Sequence, residues 1–206
     1  MSREAVVAAA QAYFDDGKFV DDLARRVAIP SESQKDDSQA ALRRYLDDEM
    51  IPAFDAMGHT CQVFDNPVEG KGPVLLATRI EDESLPTVLG YGHGDVVRGL
   101  ADQWYEGLDP WVTTQRGEKL YGRGTADNKG QHTVNMIGMA QVMEARGKLG
   151  FNSKFMVEMG EESGSPGLDK IIESNLDAFA ADVFIASDGP RVEPDRPTIF
   201  LGARGA

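Results

Sequence analysis

Thr87-Val-Leu-Gly-Tyr-Gly-His93-Gly-Asp95 is an apolar run that stops on a histidine and an aspartate. Two other runs end the same way, Phe155-Met-Val-Glu-Met-Gly-Glu161-Glu162 on adjacent glutamates and Asp182-Val-Phe-Ile-Ala-Ser-Asp188 on an aspartate. Short apolar runs bounded by Gly, Pro and Asp read as strands, several of them buried on both faces. Cys61–Phe64, Pro73–Ile80 and Thr198–Leu201 add three more runs of this kind, and helical stretches at Gln131–Arg146 and Leu168–Ala180 separate the later ones. The alternation predicts an α/β fold, a largely parallel sheet flanked by helices. In open sheets of that kind ligands bind beyond the carboxyl ends of the strands, so the polar groups ending these runs can converge on one crevice.

Outward from this core, residues 2–58 are patterned as three packing helices. Ser2 is placed to cap the first. Phe19, Val20, Leu23 and Val27 recur at helical spacing before Pro30 stops the second, and Ala40 to Met50 form a third face that Pro52 is expected to kink. The chain has 206 residues, 41% hydrophobic and 27% charged, which excludes a wholly disordered or collagen-like chain. Its net charge of -13 repels phosphate backbones and anionic lipid, so neither nucleic acid nor a membrane surface is an expected partner. No signal peptide or membrane span fits the amino terminus, and the single cysteine, Cys61, has no internal disulfide partner. A cytoplasmic location is the expectation.

Nine of the 22 glycines fall between Gly90 and Gly130. A phosphate cradle does not explain them, because Gly122-Arg-Gly124-Thr-Ala-Asp127 puts a carboxylate where a third glycine is needed and no Gly-Lys-Ser/Thr follows. Carboxylates and an imidazole gathered in a partly buried crevice repel one another and lose hydration, and cations relieve both costs. The physical expectation is therefore a divalent metal site built from His93, Asp127, the Glu161-Glu162 pair and Asp188. Taken singly these residues have plainer explanations: Asp127 as a helix cap, the glutamates as a solvated turn, Asp188 before Gly-Pro as turn chemistry. His93 is harder to explain away, since it lies between two glycines and Asp95, two residues on, projects to the same side of an extended segment, where a carboxylate fixes an imidazole tautomer.

In order, His93-Gly-Asp95-Val-Val, Tyr121-Gly-Arg-Gly-Thr-Ala-Asp127-Asn-Lys-Gly130, Met159-Gly-Glu161-Glu162-Ser-Gly-Ser and Ser187-Asp188-Gly resemble the motifs of the M20 metallopeptidases, most closely those of the dipeptidase branch. The family includes carnosinase-like dipeptidases, glutamate carboxypeptidases and acetylornithine and succinyl-diaminopimelate deacylases. The resemblance implies a hydrolase with two divalent ions, zinc with manganese or cobalt as alternatives, acting on a small peptide or N-acyl amino acid. His93 and Asp188 would bind one ion and Glu162 the other, with Asp127 bridging both; Asp95 would orient His93 and Glu161 would be the general base. Paired ions acidify a water and polarise the scissile carbonyl, and an adjacent carboxylate moves the proton to the leaving amine.

Members of that family continue beyond this point into a lid or dimerisation domain and a last histidine ligand. The resemblance therefore implies that residues 1–206 are a partial catalytic domain whose second metal site is incomplete, that dimerisation runs through the missing domain, and that this chain alone binds metal without turning substrate over. His59 is expected at the surface and His132 on the first turn of the helix after Asp127, neither replacing that ligand. A deacylase of the same fold and a catalytically silent metal-binding fragment are the alternatives.

Overall fold

The computed structural model describes residues 2–189, 192, 193, 195, 196 and 198–200. Helix α1 (Arg3–Asp15) starts where Ser2 Oγ accepts from the Ala5 N–H at 3.4 Å, and α2 (Lys18–Val27) ends before Pro30. The third helical stretch is α3 (Gln39–Tyr45), a π-helical turn at Leu46–Met50 and α4 (Ile51–Ala56). Pro52 has no N–H to donate and its ring crowds the carbonyl four residues earlier. The backbone widens just before it, and the Ile51 N–H reaches back five residues to the Leu46 carbonyl.

Strands β1 (Thr60–Phe64), β2 (Val74–Arg79) and β3 (Thr87–His93) follow; then come a small antiparallel hairpin, β4 (Thr114–Arg116) and β5 (Lys119–Tyr121), and helix α5 (Lys129–Arg146). The chain returns through β6 (Asn152–Glu158), α6 (Leu168–Glu173), α7 (Leu176–Phe179) and β7 (Val183–Ala186). The five-stranded sheet has the order β1-β2-β6-β3-β7. It is mixed: β6, β3 and β7 run parallel, while β1 pairs with β2 and β2 with β6 in antiparallel register. The α/β architecture stands, with parallel pairing confined to the half of the sheet that carries the polar strand ends. Of the expected strand at Thr198–Leu201, residues 198–200 carry no strand and Leu201 lies outside the described residues.

Helices cover both faces. Along β2 and β6 successive side chains alternate: Leu75, Ala77, Phe155 and Val157 face the cluster of Leu42, Tyr45, Leu46, Met50, Phe54 and Met136, while Val74, Leu76 and Met156 face Ile171 and Phe179. Every residue of β6 is buried, including Asn152, Ser153 and Lys154, whose polarity makes the run read as starting only at Phe155. Each large apolar side chain taken out of water here stabilises the fold by about 1.5–3 kcal/mol. Among the described residues no helix is long and apolar enough to cross a membrane.

Candidate metal centre

Because β6, β3 and β7 are neighbours and parallel, the segments that follow them emerge side by side at one edge of the sheet. His93 ends the middle strand and is fully buried. Its Nδ1 lies 3.0 Å from the Asp95 carbonyl and 3.3 Å from Asp95 Oδ1, so in the neutral ring the proton belongs on Nδ1 and the Nε2 lone pair is turned to the crevice. Around Nε2 stand Asp127 Oδ1 at 3.0 Å, Asp188 Oδ2 at 3.7 Å and Glu161 Oε2 at 3.8 Å. Two sets of ligand atoms lie within 4.8 Å of one another, His93 with Glu161 and Asp188, and His93 with Asp127 and Glu162. Glu161 thus stands within ligand range of His93, a position the resemblance reserved for a base alone.

These groups perturb one another as a charge cluster does. Burial raises the Glu161 carboxyl, and the charges of Asp188, Asp95 and Asp127 add to that against the pull of His93. Burial and Asp127 raise Glu162, and burial with the Asp127 and Asp95 charges raises Asp188. At His93 burial opposes the charged ring, but the Asp95 hydrogen bond and the charges of Asp95, Asp188 and Glu161 prevail and carry it to about 9. One imidazole nitrogen among four carboxylates is a donor set that fits a divalent ion accepting both nitrogen and oxygen.

Asp95 does more than hold His93. Fully buried, it accepts the backbone N–H groups of Glu161 and Glu162 at 3.1 Å each, on separate oxygens, and so fixes the short turn Glu161–Ser163 against the end of β3. The loop after α2 braces the same turn: Gln34 Nε2 donates to the Glu162 carbonyl at 3.0 Å, and Ser31 Oγ donates to the Gly94 carbonyl at 2.6 Å. The glycines flanking His93 serve protein packing. A Cβ on Gly92 would lie 2.7 Å from His132 Cβ and 3.0 Å from Asn128 Oδ1, and one on Gly94 would overlap the Tyr45 ring and lie 2.7 Å from Met159 Sδ.

His59, expected at the surface, is buried: its ring packs edge-on against Phe54 and its Nε2 lies 3.1 Å from Ser153 Oγ. It lies between α4 and β1, and contacts with Phe54 of α4 and Ser153 of β6 enclose it, so tertiary packing overrides its polarity. His132 does fall on the first turn of α5, fully buried, with Nε2 2.6 Å from Tyr45 Oη and Nδ1 3.2 Å from Asn128 Oδ1. Both nitrogens are engaged inside the protein, which leaves His132 no lone pair for an ion in the crevice. Burial, and then the charges of Arg26, His93 and Lys129, hold its pKa well below the usual histidine value. Asn128 and the Ser31–Gln34 loop are absent from the residues singled out by sequence. Asn128 stands within the Tyr121–Gly130 motif, but nothing local gives it or the loop a role, because each is recruited by contacts with segments far along the chain.

Residues 89–199, which contain every motif named above, match the model of peptidase family M20/M25/M40. The chain is 38% identical to the human Beta-Ala-His dipeptidase over 138 residues, covering 65% of this chain and 26% of that protein. It is 30% identical to the Cys-Gly metallodipeptidase of Candida albicans over 205 residues, covering 91% of this chain and 41% of the relative. The solved structure of human carnosine dipeptidase 1 superposes with a TM-score of 0.81 at 30% identity, over 92% of this chain and 42% of that one. The chain thus spans less than half the length of these relatives. The match over more than half of the residues, and over all the strand ends that meet at His93, makes this chain a member of peptidase family M20/M25/M40.

Proposed function

We propose that this chain carries the amino-terminal part of the catalytic centre of a metal-dependent dipeptidase. The observation that carries the proposal is the convergence on His93 Nε2 of Asp127, Asp188 and Glu161, with Glu162 completing a second group of donors. His93 and Asp188 would hold one ion, Glu162 the other, and Asp127 both. When bound, divalent ions, zinc foremost and manganese or cobalt by the same donor chemistry, supply Lewis acidity at the scissile carbonyl and make a water easier to deprotonate.

The chain's own residues do the rest. Asp95 keeps the His93 proton on Nδ1 and holds Glu161 and Glu162 at fixed spacing. Glu161, with a pKa raised toward the working range by burial and its acidic neighbours, accepts a proton from the attacking water at a carboxylate oxygen and returns it to the leaving amine. The dipeptidase names of the relatives support a dipeptide over an N-acyl amino acid. A succinyl-diaminopimelate desuccinylase, 31% identical over 93 residues, keeps the deacylase as the second possibility for the same centre. The single cysteine supports a reducing, cytoplasmic compartment.

Zinc titration of the metal-free chain, followed by metal analysis of Glu161→Gln and Glu162→Gln, tests the assignment. Zinc binding by the wild-type chain, with Glu161→Gln keeping its metal content and Glu162→Gln showing a lower one, is the expected result. No zinc binding would overturn the centre, and loss of metal from Glu161→Gln first would exchange the two roles.

A further inference from the structure

Asn128 is fully buried between His93, Asp188 and His132. Its Oδ1 receives the backbone N–H of His93 at 3.2 Å and faces His132 Nδ1 at 3.2 Å. Its Nδ2 donates to the Ser187 carbonyl at 2.8 Å and to Asp188 Oδ1 at 2.9 Å, with Gln131 Oε1 at 3.3 Å. The His93 N–H is a fixed donor to the amide oxygen and every neighbour of the amide nitrogen is an acceptor, which sets the amide orientation and assigns the His132 proton to Nδ1. A flipped amide would set oxygen against oxygen at Ser187 and Asp188, and N–H against N–H at His93.

Behind Asn128 the arrangement continues into the core. With the His132 proton on Nδ1, directed at Asn128, Nε2 is the acceptor for the Tyr45 hydroxyl at 2.6 Å. Tyr45 has no room to turn away. It is fully buried, its ring lies against Gly94, and Lys129 Nζ sits 4.9 Å from the ring centre while donating to the Arg26 and Ile29 carbonyls. The ordered chain of hydrogen bonds therefore starts at a rigid core residue and ends at a carboxylate of the crevice.

We propose that Asn128 is a positioning residue of the metal centre, and that the buried Tyr45–His132 pair locks its amide in the orientation that aims Asp188. One oxygen of Asp188 is tied to Asn128 Nδ2, and the other, Oδ2, is the one turned toward His93 Nε2. Asn128 also fixes the backbone of His93, so a single amide sets the relative placement of two donors that arrive from different strands. The inference rests on Asp188 and His93 being ligands, as proposed above.

The test is zinc affinity of the full chain by competition with a chromophoric chelator, together with the visible spectrum of the cobalt-loaded protein, whose ligand-field bands report donor geometry. Asn128→Ala is expected to bind zinc about 10–100-fold more weakly, the usual effect of removing a group that orients a ligand, and to alter the cobalt bands. His132→Leu, which removes the donor to Asn128, is expected to act in the same direction. His132→Asn, whose amide nitrogen falls near the position of Nδ1, is expected to restore affinity and spectrum together. A purely structural role would lower thermal stability and leave the cobalt spectrum of the loaded protein unchanged. Should Asn128→Ala or His132→Leu not fold, Tyr45→Phe, which deletes one hydroxyl, is read in the same two assays and is expected to shift both. Zinc binding within about twofold of wild type, with an unaltered cobalt spectrum, in the variants that fold would overturn the proposal while leaving the metal centre intact. Absence of zinc binding by the wild-type chain would instead remove the centre itself, and the proposal with it.

Discussion

Replacing Asp95 by Asn tests whether this carboxylate is the joint between β3 and the Glu161–Ser163 turn. Its two oxygens accept the Glu161 and Glu162 N–H groups at 3.1 Å each, and Oδ1 also lies 3.3 Å from His93 Nδ1. A carboxamide has one acceptor oxygen, so in either orientation its NH2 confronts one backbone N–H. An unmet buried donor costs about 1–3 kcal/mol, and the surviving bond, no longer charge-assisted, weakens by about 1 kcal/mol. Charge effects pull both ways: the variant loses attraction to His93 and sheds repulsion from Glu161, Glu162 and Asp188. Each of these is of order a few kcal/mol at the effective dielectric of such sites, and they oppose. The hydrogen-bond loss therefore decides, giving a net destabilisation of roughly 2–4 kcal/mol. Urea unfolding of the metal-free protein measures it, and a zinc competition titration should show affinity falling about 10–100-fold as the turn loosens. Unchanged stability, within about 0.5 kcal/mol, together with wild-type zinc affinity, would refute the role given to Asp95.

Burial, reinforced by the Arg79 charge, depresses His59 to about 4. Because the unfolded chain titrates near the ordinary value of about 6.5, the folded state binds fewer protons between these limits; stability is full above pH ~6.5 and falls toward pH ~4, by about 3 kcal/mol. The difference in unfolding free energy between wild type and His59→Gln, followed over pH 4–8, should carry that slope; a flat difference would show that His59 charges freely in the fold. Two glycine substitutions should move stability in opposite directions. Gly94→Ala forces a methyl group into the Tyr45 ring and Met159 and should cost about 1–3 kcal/mol or more, whereas Gly138→Ala, with nothing within 4 Å and in the interior of α5, should add about 0.5–1 kcal/mol. Equal melting temperatures for the two variants would contradict the packing described around His93.

The fold was legible wherever a local rule operated. Ser2 capped α1, the runs at Cys61–Phe64, Thr87–Tyr91 and Asp182–Ala186 became β1, β3 and β7, and Gln131–Arg146 lies within α5. Strand direction was not legible. Val74–Ala77 of β2 are buried on both faces because helices pack on each side of the sheet, and a strand so covered shows the same apolar run whether its neighbours are parallel or antiparallel. The π-helical turn, the three-residue strands of the hairpin and the break between α6 and α7 at Ser174-Asn175 were likewise hidden. Each depends on which carbonyl a backbone N–H finds, and residue identity constrains that only at Pro52. His59 misled for a related reason: a polar residue beside a turn looks exposed until packing from α4 and β6 covers it.

The candidate donor residues were legible because each follows a strand or stands before a helix, and the sheet order explains how they divide. β3 is the middle of the three parallel strands, so its terminal His93 sits between two flanks. The turn after β6 brings Glu161 and Glu162 to one side, the segment after β7 brings Asp188 to the other, and the approach to α5 lays Asp127 across them. His93 on the middle strand is then common to both groups of donor atoms, while each carboxylate belongs to one of them. Asn128 and Asp95, which decide where those carboxylates point, act across 60 and 66–67 positions of chain. Periodicity marks which residues lie inside, but a hydrogen bond between two buried polar groups so far apart leaves no periodic trace. The residues that would touch an ion, and Asp95 as the partner of His93, could therefore be named from strand ends and helix starts, whereas the bonds of Asn128 to Asp188 and of Asp95 to the Glu161–Ser163 turn became visible only when the three strands were set side by side.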